Sequence, residues 1–177
     1  MTTDGTAPAP AHARQRASAR SPEHRAAVTA LALSALALSP MPALEWSTAS
    51  HAGRFEPLFS WSHLARLVRA LGSTGMPYLV VQRTTDPGER FVQCLGTRAR
   101  LIVEIGARDA VSRRHAVQRV RQGSPRGETI DVHPEADRRQ PVDLSELLTA
   151  DQFLRIAHDW LTLGVVPGFD LDPVPLA

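Results

Sequence analysis

The sequence contains a single cysteine, Cys94, and no lysine. One cysteine cannot form an intrachain disulfide framework or a Cys-x-x-Cys metal pair. All twenty basic side chains are arginine, and eighteen acids leave a net charge of only +2. That balance creates no large positive field to attract nucleic acid. We therefore expect a reducing compartment, a cytoplasmic location and no nucleic-acid partner.

Aromatic residues are also scarce, at 5% of the chain, which bears on the one arginine cluster. Nucleic-acid grooves combine basic side chains with aromatic rings on which bases stack. No aromatic residue lies between the clustered arginines, so they are expected on a solvated strand or loop face. The cluster consists of Arg113, Arg114, Arg119 and Arg121.

The motifs of common enzymes are missing. The chain has no glycine-rich dinucleotide loop, P-loop, nucleophile elbow or H-E-x-x-H helix. His63 and His158 fall beside apolar helical stripes and are expected at helix surfaces rather than as metal ligands. Asp131 and His133 could share one strand face as a catalytic pair would, but no nucleophile is identifiable beside them. With Cys94 expected as a packed hydrophobe, the sequence predicts a protein that is not an enzyme and binds no metal or cofactor.

Residues 1–50 form an N-terminal extension with two parts. Residues 1–25 are rich in Ala, Pro, Ser, Thr and Arg and are expected to be disordered. Residues 26–38 are apolar, but the stretch is shorter than the roughly 20 residues of a membrane span. Three interpretations stay open: a secretory signal, an Ala/Leu helix on or beside the domain, and an over-extended start upstream of Met41.

Two helices bound the region expected to fold, residues 59–169. Ser60 is a good N-cap for a helix that ends at Gly72. Thr149 and Gln152 form a capping box at the start of the second helix, and Gly164 closes it. Each helix has one apolar stripe, so both are expected to pack on the same covered face of a sheet. The stripes are Trp61, Leu64, Leu67, Val68 and Leu71, then Phe153, Ile156, Ala157, Trp160 and Leu161.

Alternating apolar and polar residues between the helices predict strands at 78–83, 90–95 and 100–105, with weaker candidates at 115–122 and 128–135. The fold class is therefore α+β, with an antiparallel sheet of three to five strands flanked by two helices in the order α-β-β-β-(β-β)-α. Leu101, Val103 and Ile105 form the more apolar row and are expected under the helices. Glu104 then faces water as a surface carboxylate. Residues 170–177 are predicted to be a C-terminal tail.

These strands resemble a known family. The helix beginning with Trp61, followed by "YLVV", "ERFVQCL" and "RLIVEI", is similar to type III secretion chaperone-like domains of actinobacteria (TY-Chap, related to the YbjN proteins). The resemblance runs from about Trp61 to Gly168. It implies a non-catalytic, chaperone-like module that binds peptides or other proteins. The alternative is an immunity protein that neutralises a bacterial toxin by direct binding. The residues that carry the resemblance are Phe91, Val92, Gln93, Glu104, Leu163, Gly164 and Pro167.

A partner is expected on the open face of the sheet, because a row of mixed apolar and polar residues is too apolar for plain surface and too polar for core. In the competing interpretation, the N-terminal segment folds over that face. The identity of the partner and the oligomeric state stay open. The expected partner-binding residues are Gln82, Val92, Cys94, Ile102 and Glu104.

Overall fold

The computed structural model describes residues 40–73, 76–84, 90–108, 114–135 and 138–174, with side chains throughout except in 133–140. It is an α+β protein with an antiparallel sheet of many strands and two helices, which confirms the predicted class. The predicted disorder of residues 1–25 and the apolar stretch 26–38 lie outside the described residues.

Both helices have the predicted N-caps, whereas the first helix ends with Leu71 at its C-cap, one residue before the predicted Gly72. Helix α1 (Trp61–Ala70) begins after Ser60, whose side chain accepts a hydrogen bond from the His63 backbone N–H. Helix α2 (Ala150–Leu163) begins with the complete capping box: the Thr149 hydroxyl accepts from the Gln152 backbone N–H at 3.3 Å, and the Gln152 side-chain Oε1 accepts from the Thr149 backbone N–H at 2.8 Å. Gly164 ends α2 in the left-handed conformation at φ 75°, where glycine has no Cβ penalty.

The centre of the sheet is a meander of consecutive antiparallel strands. Each is hydrogen-bonded to the next in chain order, so this part of the sheet needs only local connections. The β4–β5 hairpin is tight, because Thr97 lies opposite Arg100 across the turn. The strands are β3 (Tyr78–Arg83), β4 (Arg90–Thr97), β5 (Arg100–Arg108) and β6 (His115–Arg121).

Short strands that were not predicted extend the sheet at both sides. Strand β1 (Leu44–Ser47) pairs with β3, and β2 (Glu56–Leu58) pairs with β1. At the other side, β10 (Asp170–Pro173) pairs with β6, and β9 (Leu147–Leu148) pairs with the start of β5. Within the described residues the sheet has eight strands rather than three to five, with the order β10-β6-β5-β4-β3-β1-β2 and β9 beside β5. The sheet thus begins inside the predicted extension and ends inside the predicted tail.

Both helices contribute to one hydrophobic core on one face of the sheet. Helix α2 contacts β3, β4 and β5, while α1 contacts α2. The buried stripes of both helices join the inward side chains of the strands, which confirms that the helices share a covered face. The largest fully buried core side chains include Leu64, Leu79, Leu101, Ile105, Phe153, Leu154, Ile156 and Leu161.

A second layer lies over part of the opposite face. In the part of the chain that the structure describes, strands β7 (Thr129–Glu135) and β8 (Arg138–Asp143) pair with each other and not with the main sheet, and a 3-10 turn (Leu144–Glu146) follows. Backbone hydrogen bonds hold the base of this hairpin beside the end of β6, from Gln122 N–H to Ser145 O and from Leu144 N–H to Glu128 O. Strand β7 contacts β4. The hairpin therefore extends from β6 across this face as far as β4.

Candidate protein-binding face

The face of the sheet opposite the helices carries a hydrogen-bonded row of polar side chains. Gln93 on β4 donates from Nε2 to Glu104 Oε2 on β5 at 2.7 Å. Arg119 on β6 donates to the other oxygen, Glu104 Oε1, from Nη2 at 2.8 Å. Its Nη1 donates to Glu146 Oε2 in the 3-10 turn at 3.1 Å. The row therefore ties three neighbouring strands to the segment that follows the hairpin.

The Glu104 carboxylate at the centre of this row is buried and therefore needs a positively charged partner. Glu104 is only 8% exposed, so the expected surface carboxylate is in fact buried. Burial alone would lower the pKa of Arg119, but hydrogen bonds and charge attraction from Glu104 and Glu146 outweigh it and raise that pKa. Arg119 is therefore charged at every physiological pH and balances the buried carboxylate. This arginine belongs to the cluster that was expected to be solvated, and its role is internal.

Asp143 organises the base of the hairpin beside this row. Its carboxylate accepts hydrogen bonds from the backbone N–H groups of Ser145 at 2.8 Å, Gly127 at 2.9 Å and Arg126 at 3.0 Å. The Ser145 side chain and the N–H groups of Ser145, Arg126 and Gly127 lower the pKa of Asp143, because they favour the ionised form. Asp143 thus joins the loop before β7 to the 3-10 turn after β8.

Where the hairpin ends, at β4, the face presents half-buried side chains of β3 and β4. Residues opposite each other in an antiparallel pair share a face. Tyr78 lies opposite Leu95, Val80 opposite Gln93, and Gln82 opposite Phe91. We call the surface formed by these six side chains the β3–β4 face. Tyr78 is 37% exposed, and the other five are half-buried.

Two contacts order this surface. Gln82 donates from Nε2 to Glu45 Oε1 on β1 at 2.6 Å, which fixes its amide on the face. The Phe91 ring lies on Gly106 of β5, where a Cβ would come within 2.1 Å of the ring. The β3–β4 face thus combines positioned amides with apolar side chains that water reaches only in part.

The structure divides the five residues predicted for partner binding. Gln82 and Glu104 lie on the face opposite the helices, as predicted; Gln93 lies directly opposite Glu104 and diagonally from Gln82. Ile102 shares that face but is fully buried, opposite Leu147 of β9. Val92 and Cys94 were placed on the open face, and this is wrong: both are buried in the core under the helices.

The reason is the register of the β4–β5 hairpin. Val92 lies opposite Ile105, and Cys94 lies opposite Val103, so both pairs point into the core. Gln93 lies opposite Glu104 on the other face. Gln93, Arg119 and Glu146 were missed as members of the site. The alternating pattern of β4 and β6 already placed Gln93 and Arg119 on the side of their strands opposite the core neighbours. The opposite charges of Arg119 and Glu104 could then have indicated that these two side chains form a pair.

The residues considered for catalysis are not assembled into a site within the described part of the chain. Burial raises the pKa of the Cys94 thiol well above its ordinary value, although a backbone hydrogen bond from Leu79 opposes that shift. A buried neutral thiol is a poor nucleophile. Asp131 is exposed on β7, and the side chain of His133 lies outside the described residues. His63 stacks on Phe59, and His158 contacts Asp159 and Trp61.

Comparisons with known proteins add no relative. No protein-family model matches the sequence, and no curated protein or solved structure matches it. Among the described side chains, no group of three or more His, Cys, Asp or Glu residues could hold a metal ion. None of the helices in the described ranges is long and apolar enough to cross a membrane.

Proposed function

We propose that this protein is a non-catalytic, chaperone-like module that binds a peptide or another protein through the β3–β4 face. The observation that carries the proposal is the composition of that face. Tyr78, Val80, Phe91 and Leu95 are only partly covered, although the chain has a separate, fully closed core. Gln82 and Gln93 lie among them with amides that are already positioned by carboxylates. Apolar contact area with a few fixed polar groups is typical of protein-binding surfaces.

The rigidity of the support favours the same surface. The Glu104–Arg119 pair and the hairpin fix β5 and β6, which lie beside β4 in the sheet. The β3–β4 face is therefore formed before a partner binds. A preformed surface loses less conformational entropy on binding than one that must be ordered. A cytoplasmic location is proposed as well, since the one cysteine is an unpaired, buried thiol.

The test uses the full-length tagged protein to recover a partner from extracts of the source cell. Val80→Arg and Leu95→Arg introduce charge on the β3–β4 face, and Ser62→Arg introduces the same charge on the exposed side of α1. We expect wild type and Ser62→Arg to retain the partner and the two face variants to lose it. Circular dichroism melting of each variant shows whether it is still folded.

The pattern of recovery separates the two kinds of binding protein. A single partner in a stoichiometric complex is expected of an immunity protein, whereas a mixture of weakly held peptides is expected of a chaperone. Retention of the partner by folded Val80→Arg and Leu95→Arg would show that another surface binds it.

A further inference from the structure

A cleft of about 290 Å³ opens where the end of α1, the β4–β5 turn and the start of α2 meet. Two of the side chains that line it are arginines, Arg69 on α1 and Arg98 in the turn, and one, Asp151 on α2, is acidic. We call this opening the basic cleft. Because helix residues bound it, it lies on the helix side of the molecule, away from the β3–β4 face. Its remaining lining residues are Ala99, Thr149 and Ala150.

The three segments around the basic cleft are fixed to one another. The Ala150 N–H donates to the Arg98 carbonyl at 3.1 Å, which joins the start of α2 to the turn. Gly72 follows α1 in the left-handed conformation at φ 78° and packs on Thr97. A Cβ at position 72 would come within 2.8 Å of Thr97 Cγ2, so the close approach of α1 to the turn favours glycine. The cleft is therefore formed without a ligand.

The arginines around this cleft differ from those of the neighbouring strand. Arg119 and Arg121 on β6 are each paired with carboxylates. Arg98, Arg100 and, one turn before the cleft on α1, Arg66 form no ion pair or side-chain hydrogen bond with any residue that the structure describes. All three are exposed. Like charges that lie close together on a surface repel each other, so a negatively charged ligand would relieve that repulsion.

Asp151 shows which chemical group this cleft accepts. Its carboxylate accepts a hydrogen bond from Arg69 Nη2 at 3.3 Å. The side chains of Arg69 and Asp151 are 52% and 44% exposed, and an ion pair between exposed side chains contributes little to stability. A carboxylate from another molecule can therefore take the place of Asp151 at Arg69 with a small cost in free energy.

We propose that the basic cleft binds an acidic segment of a partner protein. An aspartate or glutamate carboxylate of that segment accepts hydrogen bonds from Arg69 and Arg98, and neighbouring acids of the segment lie near Arg66 and Arg100. The planar guanidinium group suits this role because its N–H groups match the two oxygens of a carboxylate. The chain as a whole carries a net charge of only +2, so a local cluster of arginines favours a short acidic segment over a long polyanion such as nucleic acid.

The experiment measures the fluorescence anisotropy of a fluorescein-labelled peptide of alternating glutamate and glycine, titrated with the full-length protein at about 0.15 M salt. The peptide has no apolar side chain, so its binding does not depend on the function proposed for the β3–β4 face. We expect saturable binding. Arg98→Gln and Arg69→Gln should each weaken it about two- to fivefold, because each removes one exposed ion pair. Asp151→Asn should tighten it by a similar factor, because it removes the carboxylate that competes for Arg69.

Two substitutions of the same kind away from the cleft are the controls. Arg114→Gln removes an exposed arginine beside the start of β6, where β6 pairs with the far end of β5. Asp159→Asn removes a carboxylate about 12 Å further along α2. Both should leave the dissociation constant unchanged. Circular dichroism melting of each variant shows whether it is folded.

Several results would overturn the proposal. Equal binding of a peptide with glutamine in place of glutamate would show that carboxylates are not recognised. Equal weakening by Arg114→Gln and Arg98→Gln would show a response to overall charge alone. Tighter binding of a single-stranded oligonucleotide of the same net charge would assign the arginines to a phosphate backbone. If folded wild type does not bind the glutamate peptide at all, the basic cleft has no such role, and the proposal for the β3–β4 face is unaffected.

Discussion

The ring of Phe91 lies directly on the backbone of Gly106, its antiparallel neighbour in the sheet. A Cβ at position 106 would come within 2.1 Å of Phe91 Cζ, which is closer than any packed carbon pair. The backbone at Gly106 requires no left-handed conformation, so the space for the ring is what requires glycine there. The position of Phe91 on the β3–β4 face therefore depends on one absent methyl group.

Gly106→Ala should destabilise the fold by about 1–3 kcal/mol, because the ring must move to an unfavourable rotamer or the strands must separate. Urea denaturation followed by tryptophan fluorescence measures the loss. The double variant Phe91→Ala/Gly106→Ala is the control, since without the ring the added methyl has room. If the two substitutions are simply additive, the steric explanation is contradicted.

Arg119→Met should cost about 3 kcal/mol of unfolding free energy, because it leaves Glu104 buried without its cation. The matched variant is Arg121→Met. Arg121 is on the same strand and is paired with Asp172, whose side chain is 49% exposed. A pair with one partner half in water contributes about 1 kcal/mol or less. If urea denaturation gives the same loss of unfolding free energy for both variants, the Arg119–Glu104 pair stabilises the fold no more than a surface ion pair does.

Asp143 makes stability depend on pH in the acid range. Its folded pKa is lowered, so its contribution is fully present above the unfolded value of about 3.9 and is lost as the pH falls through the folded pKa. Wild type should therefore lose more stability than Asp143→Asn between pH 5 and pH 2, when unfolding free energies are compared at matched ionic strength. Asp131→Asn, an exposed carboxylate in the same hairpin, is the control. Identical pH dependence in wild type and Asp143→Asn would contradict this role.

Cys94 should be unreactive towards a thiol-specific disulfide reagent in the native protein. The side chain is 1% exposed, and its raised pKa keeps it as the neutral thiol at pH 7–8. Reaction should become fast in denaturant, and the native rate should decrease with any change that stabilises the fold. Rapid labelling without denaturant, at the rate of a free cysteine, would be the contrary result.

The helices were predictable because their signals are local. The Ser60 cap, the Thr149–Gln152 capping box and Gly164 each lie within a few residues of the backbone groups that they satisfy. The strands of the central meander were predictable for a related reason, since alternation extends over five or more residues in each of them. Strands β1, β2, β9 and β10 have only two to four residues, which is too short for alternation to be recognised.

The sequence did not predict which residues of β4 and β5 lie opposite each other in the hairpin. The polar link between the two apolar runs fits several turns, and a shift of one residue exchanges the faces of an entire strand. In the structure the turn centres on Arg98 and Ala99. This places Val92 and Cys94 in the core and brings Gln93 to Glu104. The pattern thus identified two-faced strands correctly, but only the turn geometry determines which residues meet.

The outermost strands of the sheet, β2 and β10, each contain a proline, Pro57 and Pro173. Proline has no amide hydrogen to donate, so a strand from another molecule would find an interrupted ladder at either side. The exposed Asp170 adds a negative charge to the β10 side, which further opposes stacking of like strands. At high protein concentration, the sheet therefore resists open-ended, fibril-like growth through its edges, and association through side chains on its surfaces is the route that remains.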